Sequence, residues 1–409
     1  MLSVLRARDF RLLWSAGLLA VVADWMLLTA LPFYIYSVTQ SALATGFMFI
    51  SYTISRLAFG MLAGVLVDRW DRRKTMLFSS LVLGCIMPVL IIAQDPGLVW
   101  VGYVVSFTQA AVSRFFIPAR YACIPQIVKE SDLVAANSLD TLSSGITRMV
   151  GPLLGGSIVG LLGLPVLVAI VSALFLSSSL LVSRMQLTGP PQDSEARSST
   201  WGRGSLRAFF AEFARGLEEI RHNSVVKVVL LTNGLVMVGY GFISVLLVVF
   251  AREVHGGDAT FYGFLTASQG VGMALGSVIA AFAGRHLSTR TLFSAGLMGT
   301  GTFLLLAFHS TGPALAALFL GLSGAAMTAW MVGDRSMLQS AVESNLRGRI
   351  FGTYSTVSST LMLTGTTLSG GLGDHVDIMT LLTCTGLLYL IPGILSLRLL
   401  PRGGRNAAQ

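Results

Sequence analysis

The chain has 409 residues, of which 54% are hydrophobic and only 11% are charged, and its formal net charge is +9. Soluble domains are typically about 25% charged, so this composition excludes the soluble classes and predicts a polytopic membrane protein. The basic residues stand in short clusters between apolar runs, which indicates membrane topology and argues against a nucleic-acid partner. The 3 cysteines and 5 histidines are scattered, so we expect no disulfide framework, no metal site and no cofactor.

Apolar runs of the length that a helix needs to cross a bilayer, about 20 residues, recur along the whole chain. The first run follows Met1–Arg11 and is too long for the core of a signal peptide, so we expect it to stay in the mature protein. The pattern predicts twelve spans, at residues 14–38, 43–67, 75–93, 98–118, 138–161, 164–184, 225–251, 260–284, 291–309, 313–333, 350–373 and 378–399.

The distribution of basic residues predicts the orientation of these spans. With a cytoplasmic N-terminus, nearly all of the 28 lysines and arginines fall in segments on the cytoplasmic side. Arg252 falls outside, and three basic residues lie within spans. The positive-inside rule therefore predicts that both termini are cytoplasmic, in a multi-pass protein of the plasma (inner) membrane.

A change of composition divides the chain between the sixth and seventh spans. Residues 188–205 are rich in proline, glycine and serine and predict a flexible cytoplasmic linker. Apolar residues then repeat at helical spacing from Leu206 to Ile220, which predicts an amphipathic helix at the membrane surface. We interpret this helix as a strut, with a regulatory target as the alternative. The predicted domains are a six-helix bundle at 1–187, the linker at 188–223 and a second bundle at 224–409.

The two halves also contain similar segments. Ala110–Ser113, followed by Arg120, has a counterpart about 215 residues later in Ala325–Thr328, followed by Arg335. Both segments close an outside-to-inside span and open a cytoplasmic loop. Duplicated six-span halves of parallel orientation are the architecture of one class of transporter.

The loop after the second predicted span begins where an apolar run meets charge. It matches the pattern G-x3-D-[RK]-x-G-[RK]-[RK]-[RK], the loop signature of the major facilitator superfamily, except that Asp71 stands where glycine is usual. The matching residues are Gly64, Asp68, Arg69, Arg72, Arg73 and Lys74. With the twelve spans and the central linker, the whole chain resembles this superfamily. The resemblance implies an all-α polytopic membrane fold of two pseudo-symmetric six-helix bundles, and secondary transport by alternating access.

Two further stretches resemble particular branches of the superfamily. Pro118-Ala119-Arg120 and the residues that follow resemble the connection after the fourth helix in macrolide-efflux, siderophore-exporter and lysophospholipid-transporter relatives. A second stretch resembles the end of the antiporter signature, through Gly151, Pro152, Gly155 and Gly156. The arginine that many proton-coupled members carry high on the fourth helix is missing from residues 103–109, so proton coupling is not implied by that route.

Asp24, Arg56 and Arg148 of the first half fall deep inside predicted spans, where each costs about 2.5 to 3.5 kcal/mol on insertion scales. Counting ~1.5 Å per residue from the cytoplasmic end of the span, Asp24 lies about 15 Å deep, Arg56 about 18 Å and Arg148 about 15 Å. Asp24 is the candidate proton carrier, because burial disfavours its charge and a nearby arginine favours it. The alternative is an Asp24–Arg56 ion pair that locks the first two spans, and the two hypotheses are compatible.

Arg148 has no evident partner, because Asp140 lies two turns away on the same face, about 12 Å. It could hold a substrate anion, bond buried groups where the halves meet, or extend toward the membrane surface. The spans of the second half carry polar and aromatic residues instead of charges. We predict that four of these residues line a substrate cavity together with Gln109, Arg56 and Arg148, with packing as the alternative. The four are Asn233, Tyr240, Gln269 and Trp330.

The second span carries a face that could serve in gating. Gly60 and Gly64 permit close helix approach, and Asp68 follows at the same interval of four. Helices two and eleven meet in the superfamily. The resemblance therefore implies that Asp68 contacts the start of span eleven, near residues 350–353, where free N–H groups favour a carboxylate.

These features predict a proton-coupled exporter of amphipathic, drug-like small molecules, whose partners are the substrate, protons and the lipid bilayer, and which acts as a monomer. Transport of an anionic amphiphile, either a lysophospholipid or a siderophore, is the alternative, and a receptor without transport is the alternative from another class. We predict no enzyme. The chain has no phosphate loop, and its only acid and histidine grouping, Asp374, His375 and Asp377, also describes an ordinary solvated turn.

Overall fold

The computed structural model describes residues 2–67, 70–186, 218, 223–342 and 346–400, and every regular element within these ranges is helical. Two sequence predictions fall outside them. Asp68 and Arg69 of the loop motif are not among the described residues, nor is most of the linker with its amphipathic helix.

Five long helices make up the N-terminal part of the chain, after a short 3₁₀ turn at Leu2–Arg6. The third continues directly as a 3₁₀ helix, Met87–Gln94. The five are α1 (Arg8–Thr39), α2 (Ala42–Val67), α3 (Arg72–Ile86), α4 (Trp100–Ile127) and α5 (Leu133–Ser183).

Six helices follow in the C-terminal part. The first of them ends in a π-helical turn, Phe250–Val254. The six are α6 (Ser224–Val249), α7 (Ala259–Ala283), α8 (Thr289–Phe308), α9 (Pro313–Ala341), α10 (Arg347–Gly373) and α11 (Ile378–Leu399).

The long helix α5 is broken at Gly163. This glycine has a φ of +81° and a ψ of 173°, which other residues rarely adopt, and Pro165 follows it. The break divides α5 into two arms, 133–162 and 164–183. They correspond to the fifth and sixth predicted spans.

Nine helical segments of the described ranges are long and apolar enough to cross a membrane. Neither α4 nor α10 is among them. Polar residues explain the difference, since α4 contains Arg114 and Arg120, while α10 is rich in serine and threonine. The helical, multi-pass architecture is confirmed, whereas the count of twelve spans stays a prediction.

Polar residues at the predicted loops begin several helices. The Asn223 side chain accepts hydrogen bonds from the amides of Val225 and Val226, 3.1 Å each, at the start of α6. Asp377 accepts from the amide of Thr380 at 2.9 Å and caps α11. These contacts satisfy amides that the first turn of a helix leaves unpaired. Asp377 therefore has a structural role, in agreement with the solvated-turn interpretation.

The chain divides into two compact units. The first holds the described residues of Met1–Gln40, Phe47–Thr200 and Gly257–Ala267. The second holds those of Ser41–Gly46, Trp201–Gly256 and Ser268–Gln409. Most of α2 thus belongs to the first unit, but its first turn groups with the second. Most of α7 belongs to the second unit, but its start groups with the first. The predicted domain boundaries stay a prediction.

In the first unit, α1 packs closely along α5. A Cβ on Gly151 would overlap the Trp25 side chain, and a Cβ on Gly155 would overlap the backbone of Met26. Gly156 lies equally close to the backbone of Ala259 and Gly263 at the start of α7. The antiporter-like stretch therefore supplies the small residues that let helix backbones approach.

Candidate functional site

The Asp24 carboxylate lies in the first unit and is held by two uncharged donors from α4. Gln109 Nε2 donates to Asp24 Oδ1 at 2.5 Å, and Ser113 Oγ donates to the same oxygen at 3.1 Å. Gln109 and Ser113 are one helical turn apart, which places both side chains on the face toward α1. The sequence predicted Asp24 and Gln109 as site residues, and the structure brings them together.

The alternative of an Asp24–Arg56 ion pair is wrong. Both residues are described, and no ion pair joins them. The Arg56 side chain is exposed, and its Cζ lies 5.7 Å from the ring centroid of Tyr52 on the same helix. Arg56 therefore makes a cation–π contact within α2 and leaves Asp24 to its neutral partners.

Sequence analysis missed Arg114, which directly follows Ser113 on α4. Its guanidinium lies close enough to Tyr52, Asp24 and Arg56 to interact with them electrostatically. The Nε of Arg114 is buried and has no partner among the described residues. The signal was in the sequence, because Arg114 lies within the predicted span 98–118. Apart from Asp140, which pairs with Arg120, the first unit thus carries three arginines and one aspartate within predicted spans.

A mostly apolar cleft adjoins this cluster in the first unit. Its cavity volume is about 10 Å³, room for roughly one water molecule, and Gln109, Tyr52 and Ser106 contribute its polar atoms. The other lining residues are Leu27, Leu28, Leu31, Met48, Met87, Leu90 and Val105. Gln109 therefore lies both in the cleft wall and against the Asp24 carboxylate.

Arg148 meets an aromatic ring. Its Cζ lies 5.1 Å from the ring centroid of Trp25, the neighbour of Asp24 on α1. This cation–π contact was not among the predicted alternatives. Asp140 instead pairs with Arg120, whose Nη2 lies 2.9 Å from Asp140 Oδ1. The prediction that Asp140 does not reach Arg148 is confirmed.

The predicted cavity residues of the C-terminal half differ in their burial and in their described contacts. The buried Asn233 donates through Nδ2 to Ser358 Oγ of α10 at 2.6 Å, and Trp330 is buried with only 3% of its surface exposed. Tyr240 and Gln269 are half-buried on α6 and α7. Their role as cavity residues stays a prediction.

A second buried carboxylate was also missed. Asp334 lies on α9 in the second unit, 6% exposed, and its Oδ2 accepts a hydrogen bond from the Tyr354 hydroxyl of α10 at 2.6 Å. The predicted span ended at residue 333, whereas α9 continues to Ala341. Ending the span at the first acid removed Asp334 from the set of buried residues.

The described part of the loop motif ties α3 to its neighbours. Arg72 Nη1 donates to the carbonyl of Ala122 on α4 at 2.9 Å, and Arg73 donates to the carbonyls of Val182 and Ser183 on α5. Asp71, the departure from the superfamily pattern, caps α3 by accepting from the amide of Lys74 at 2.9 Å.

The gating hypothesis depends on residues that the structure covers only in part. Gly60 and Gly64 lie within α2. The predicted contact of Asp68 with residues 350–353 involves a residue outside the described ranges. It stays a prediction.

Known proteins of similar sequence are transporters. A family model described as transmembrane secretion effector, of the major facilitator class, matches residues 1–408. The chain is 23% identical to the MFS-type transporter YfiS of Bacillus subtilis (strain 168), over 94% of this chain and 91% of that protein. It is 22% identical to macrolide efflux protein A of Streptococcus pyogenes, over 90% of each chain. The enterobactin exporter EntS of Escherichia coli O1:K1 / APEC is 25% identical, over 98% of this chain and 94% of EntS.

Solved structures of low sequence identity share the fold. A mutant form of the nucleoside transporter NupG superposes with a TM-score of 0.77 at 12% identity, covering 96% of this chain and 100% of NupG. A bacterial homologue of the iron transporter ferroportin gives 0.72 at 15% identity, covering 97% of this chain and 98% of that one. The all-helical fold, the buried carboxylates Asp24 and Asp334, and the family match over nearly the whole sequence are consistent with one another. The chain therefore belongs to the transmembrane secretion effector family of the major facilitator superfamily, and it is a membrane transporter rather than an enzyme.

Proposed function

We propose that the chain is a proton-coupled exporter of amphipathic, drug-like small molecules that works by alternating access in the plasma (inner) membrane. The names of two relatives support export, since one is a macrolide efflux protein and the other an enterobactin exporter. The positive-inside distribution of basic residues supports cytoplasmic termini. The proposed partners are the substrate, protons and lipid, with the monomer as the working unit.

The observation that carries the proposal is the Asp24 carboxylate, bonded to Gln109 and Ser113. Both donors are uncharged. They stabilise a carboxylate without neutralising it, and a charge within a span remains costly. Uptake of a proton is a direct way to remove that charge, and release restores the hydrogen bonds. Asp24 can therefore alternate between two forms during a transport cycle.

The apolar lining of the cleft next to Asp24 supports an amphipathic substrate, which requires the cleft to widen during the transport cycle. Its walls are formed mainly by leucine, methionine and valine side chains, which suit an apolar body. Gln109 belongs both to the wall and to the carboxylate cluster. A substrate that displaces or reorients Gln109 also changes the stability of the Asp24 charge. This shared residue couples substrate binding to proton release.

Asp24→Asn tests the coupling, because asparagine keeps the size and the hydrogen-bonding capacity of the side chain but cannot exchange a proton. We expect the variant to fold and to lose transport of a macrolide driven by a pH gradient in proteoliposomes, down to the level of empty liposomes. Glu130→Gln, at an exposed position between α4 and α5, is the matched control. Undiminished gradient-driven transport by a well-folded Asp24→Asn protein would contradict the proposal.

Transport of an anionic amphiphile is the second candidate, and the excess of arginine favours it. Apart from Asp140, which is neutralised by Arg120, Asp24 is the one acid within predicted spans of the first unit, against the three arginines Arg56, Arg114 and Arg148. A phosphate or carboxylate head group suits this balance better than a cation does. Arg148 is the clearest candidate ligand, because its contact with Trp25 leaves the guanidinium donors free to hold an anion.

Arg148→Gln separates the two substrate classes. We expect the purified variant to lose the thermal stabilisation that a lysophospholipid or a catecholate siderophore gives the wild type, and to keep that given by a macrolide. Arg148→Lys keeps the charge and serves as the control. Equal stabilisation of the wild type and Arg148→Gln by the anionic ligands would exclude Arg148 as their binding group.

A further inference from the structure

Among the described residues of the second unit, Asp334 is a buried carboxylate that forms no ion pair. Tyr354 donates to its Oδ2 at 2.6 Å, while Oδ1 is buried and accepts no hydrogen bond from any described group. Its side chain is 6% exposed. A carboxylate in such a place normally has an arginine or lysine beside it, because burial of an uncompensated charge is expensive.

At the corresponding place in the first unit, a buried aspartate does have a cationic partner. There Arg120 of α4 and Asp140 of α5 form an ion pair of 2.9 Å, and their side chains are 7% and 9% exposed. The internal repeat aligns Arg120 with Arg335. Asp334 is the chain neighbour of Arg335, and Tyr354 is next to the position that aligns with Asp140. In the second unit, the buried partner is a neutral phenol.

The charged groups around Asp334 do not replace the missing cation. Arg335, the next residue, is exposed and makes no ion pair with Asp334 in the described structure. Arg290 on α8 donates to the carbonyl of Leu397, and Lys227 on α6 is exposed. The part of α7 in this unit, 268–283, carries no charged side chain.

An unpaired donor lies one helical turn from this acceptor. The Nε1 of Trp330 is buried and has no hydrogen-bond partner among the described residues. Positions four apart on a helix share a face, so the unpaired Trp330 donor and the unpaired Asp334 acceptor border the same region. A water molecule there could accept from the indole and donate to the carboxylate, which satisfies both groups.

We propose that Asp334 is a second proton-binding carboxylate of this transporter, hydrogen-bonded by Tyr354 and hydrated on its free oxygen. The bound ligand is a proton: the O–H bond forms on Asp334 as a hydronium at the adjacent water position gives up its proton and becomes water, and the bond breaks when the proton returns to that water. The site is distinct from Asp24, because it lies in the other unit and has its own donor. It would stand even if Asp24 carried no proton.

Infrared difference spectroscopy of the purified full-length protein tests the site without a transport assay. Stepping the pH should produce a carbonyl band of a protonated carboxylic acid that appears in the wild type and is missing in Asp334→Asn. In this variant the phenol can still donate to the amide oxygen, so we expect it to fold. Glu130→Gln, exposed and far along the chain, should keep the band. An unchanged set of titrating bands in Asp334→Asn would overturn the proposal.

Tyr354→Phe gives a second, independent readout. Loss of the phenol removes the described donor to the ionised carboxylate, so the Asp334 band should persist to higher pH than in the wild type. If the Asp334 band disappears at the same pH in Tyr354→Phe as in the wild type, the proposed site is overturned. Replacing the buffer cation, sodium for potassium, must leave the band unchanged, since a response would indicate a metal-cation site and contradict a proton site.

Discussion

At the residue scale, three buried acids differ in the groups that contact them. Asp140 is compensated by Arg120, Asp24 is held by an amide and a hydroxyl, and Asp334 by a single phenol. Protonation of a paired acid removes the attraction of the pair. The other two acids can change charge without breaking an ion pair. This difference distinguishes Asp140 from the two carboxylates that we propose as proton-binding groups.

The Arg120–Asp140 pair leads to a prediction about stability. Asp140→Asn leaves the buried Arg120 guanidinium uncompensated, and we expect a loss of about 3–5 kcal/mol. The measurement is thermal or denaturant unfolding of the detergent-purified protein. Asp132→Asn, at the loop before α5, where the side chain makes no cap hydrogen bond, should change little.

The double variant Arg120→Met with Asp140→Leu provides the decisive comparison. Replacing a buried pair by apolar residues of similar volume is often neutral or stabilising. We therefore expect it to recover most of the stability that Asp140→Asn loses. A double variant as unstable as the single one would show that the pair has a role beyond mutual neutralisation.

At the element scale, the antiporter-like stretch of α5 has a packing function. Gly151 and Gly155 lie on the face against Trp25 and Met26 of α1. Asp24, Trp25 and Met26 are consecutive, so the glycines set the distance of the proposed proton site from α5. Small residues on one helix thereby position a functional side chain on another.

Two glycine variants of α5 separate packing from helix propensity. Gly155→Ala places a methyl group against the Met26 backbone, and we expect overpacking to cost about 1–3 kcal/mol. Gly145→Ala, earlier in the same helix, meets nothing within 4 Å and should be neutral or stabilising by up to about 1 kcal/mol. Comparing the melting temperatures of the two purified variants checks this. Equal effects would mean that the α1–α5 contact is not tight.

Most helix positions could be predicted from the sequence, but some helix ends could not. The gap between the fifth and sixth predicted spans coincides with Gly163, because glycine and proline leave a clear local signal. By contrast, α4 and α9 continue past the predicted ends at residues 118 and 333. The predicted ends lie just before Arg120 and Asp334. These two charged residues remain inside helices, Arg120 paired with Asp140 on α5 and Asp334 hydrogen-bonded by Tyr354 on α10.

The site was predictable only in part for the same reason. Asp24 and Gln109 stood out as polar residues within apolar spans. The contact between them depends on how α1 packs against α4, which no local pattern encodes. Arg148 and Trp25 meet by the same kind of tertiary packing. Sequence thus indicates which residues are unusual, and packing decides which of them become partners.

At the scale of the whole molecule, orientation in the membrane determines the direction in which a proton gradient would drive transport. The positive-inside distribution predicts that the loop between α7 and α8 is cytoplasmic, since Arg285 and Arg290 flank it, and that the loop between α8 and α9 is external. A proton gradient can drive efflux through Asp24 only if the cleft meets the cytoplasm during part of the cycle. The direction of transport therefore depends on this topology.

Single-cysteine labelling tests the orientation. The background replaces the native cysteines, with Cys85→Ser, Cys384→Ser and, at the buried position, Cys123→Ala. We expect a membrane-impermeant maleimide to label Thr311→Cys in intact cells and His286→Cys only after permeabilisation, since both positions are exposed and lie on opposite ends of α8. Labelling of both sites after permeabilisation is the control for reactivity. The reverse pattern in intact cells would place the termini outside and invert the predicted direction of transport.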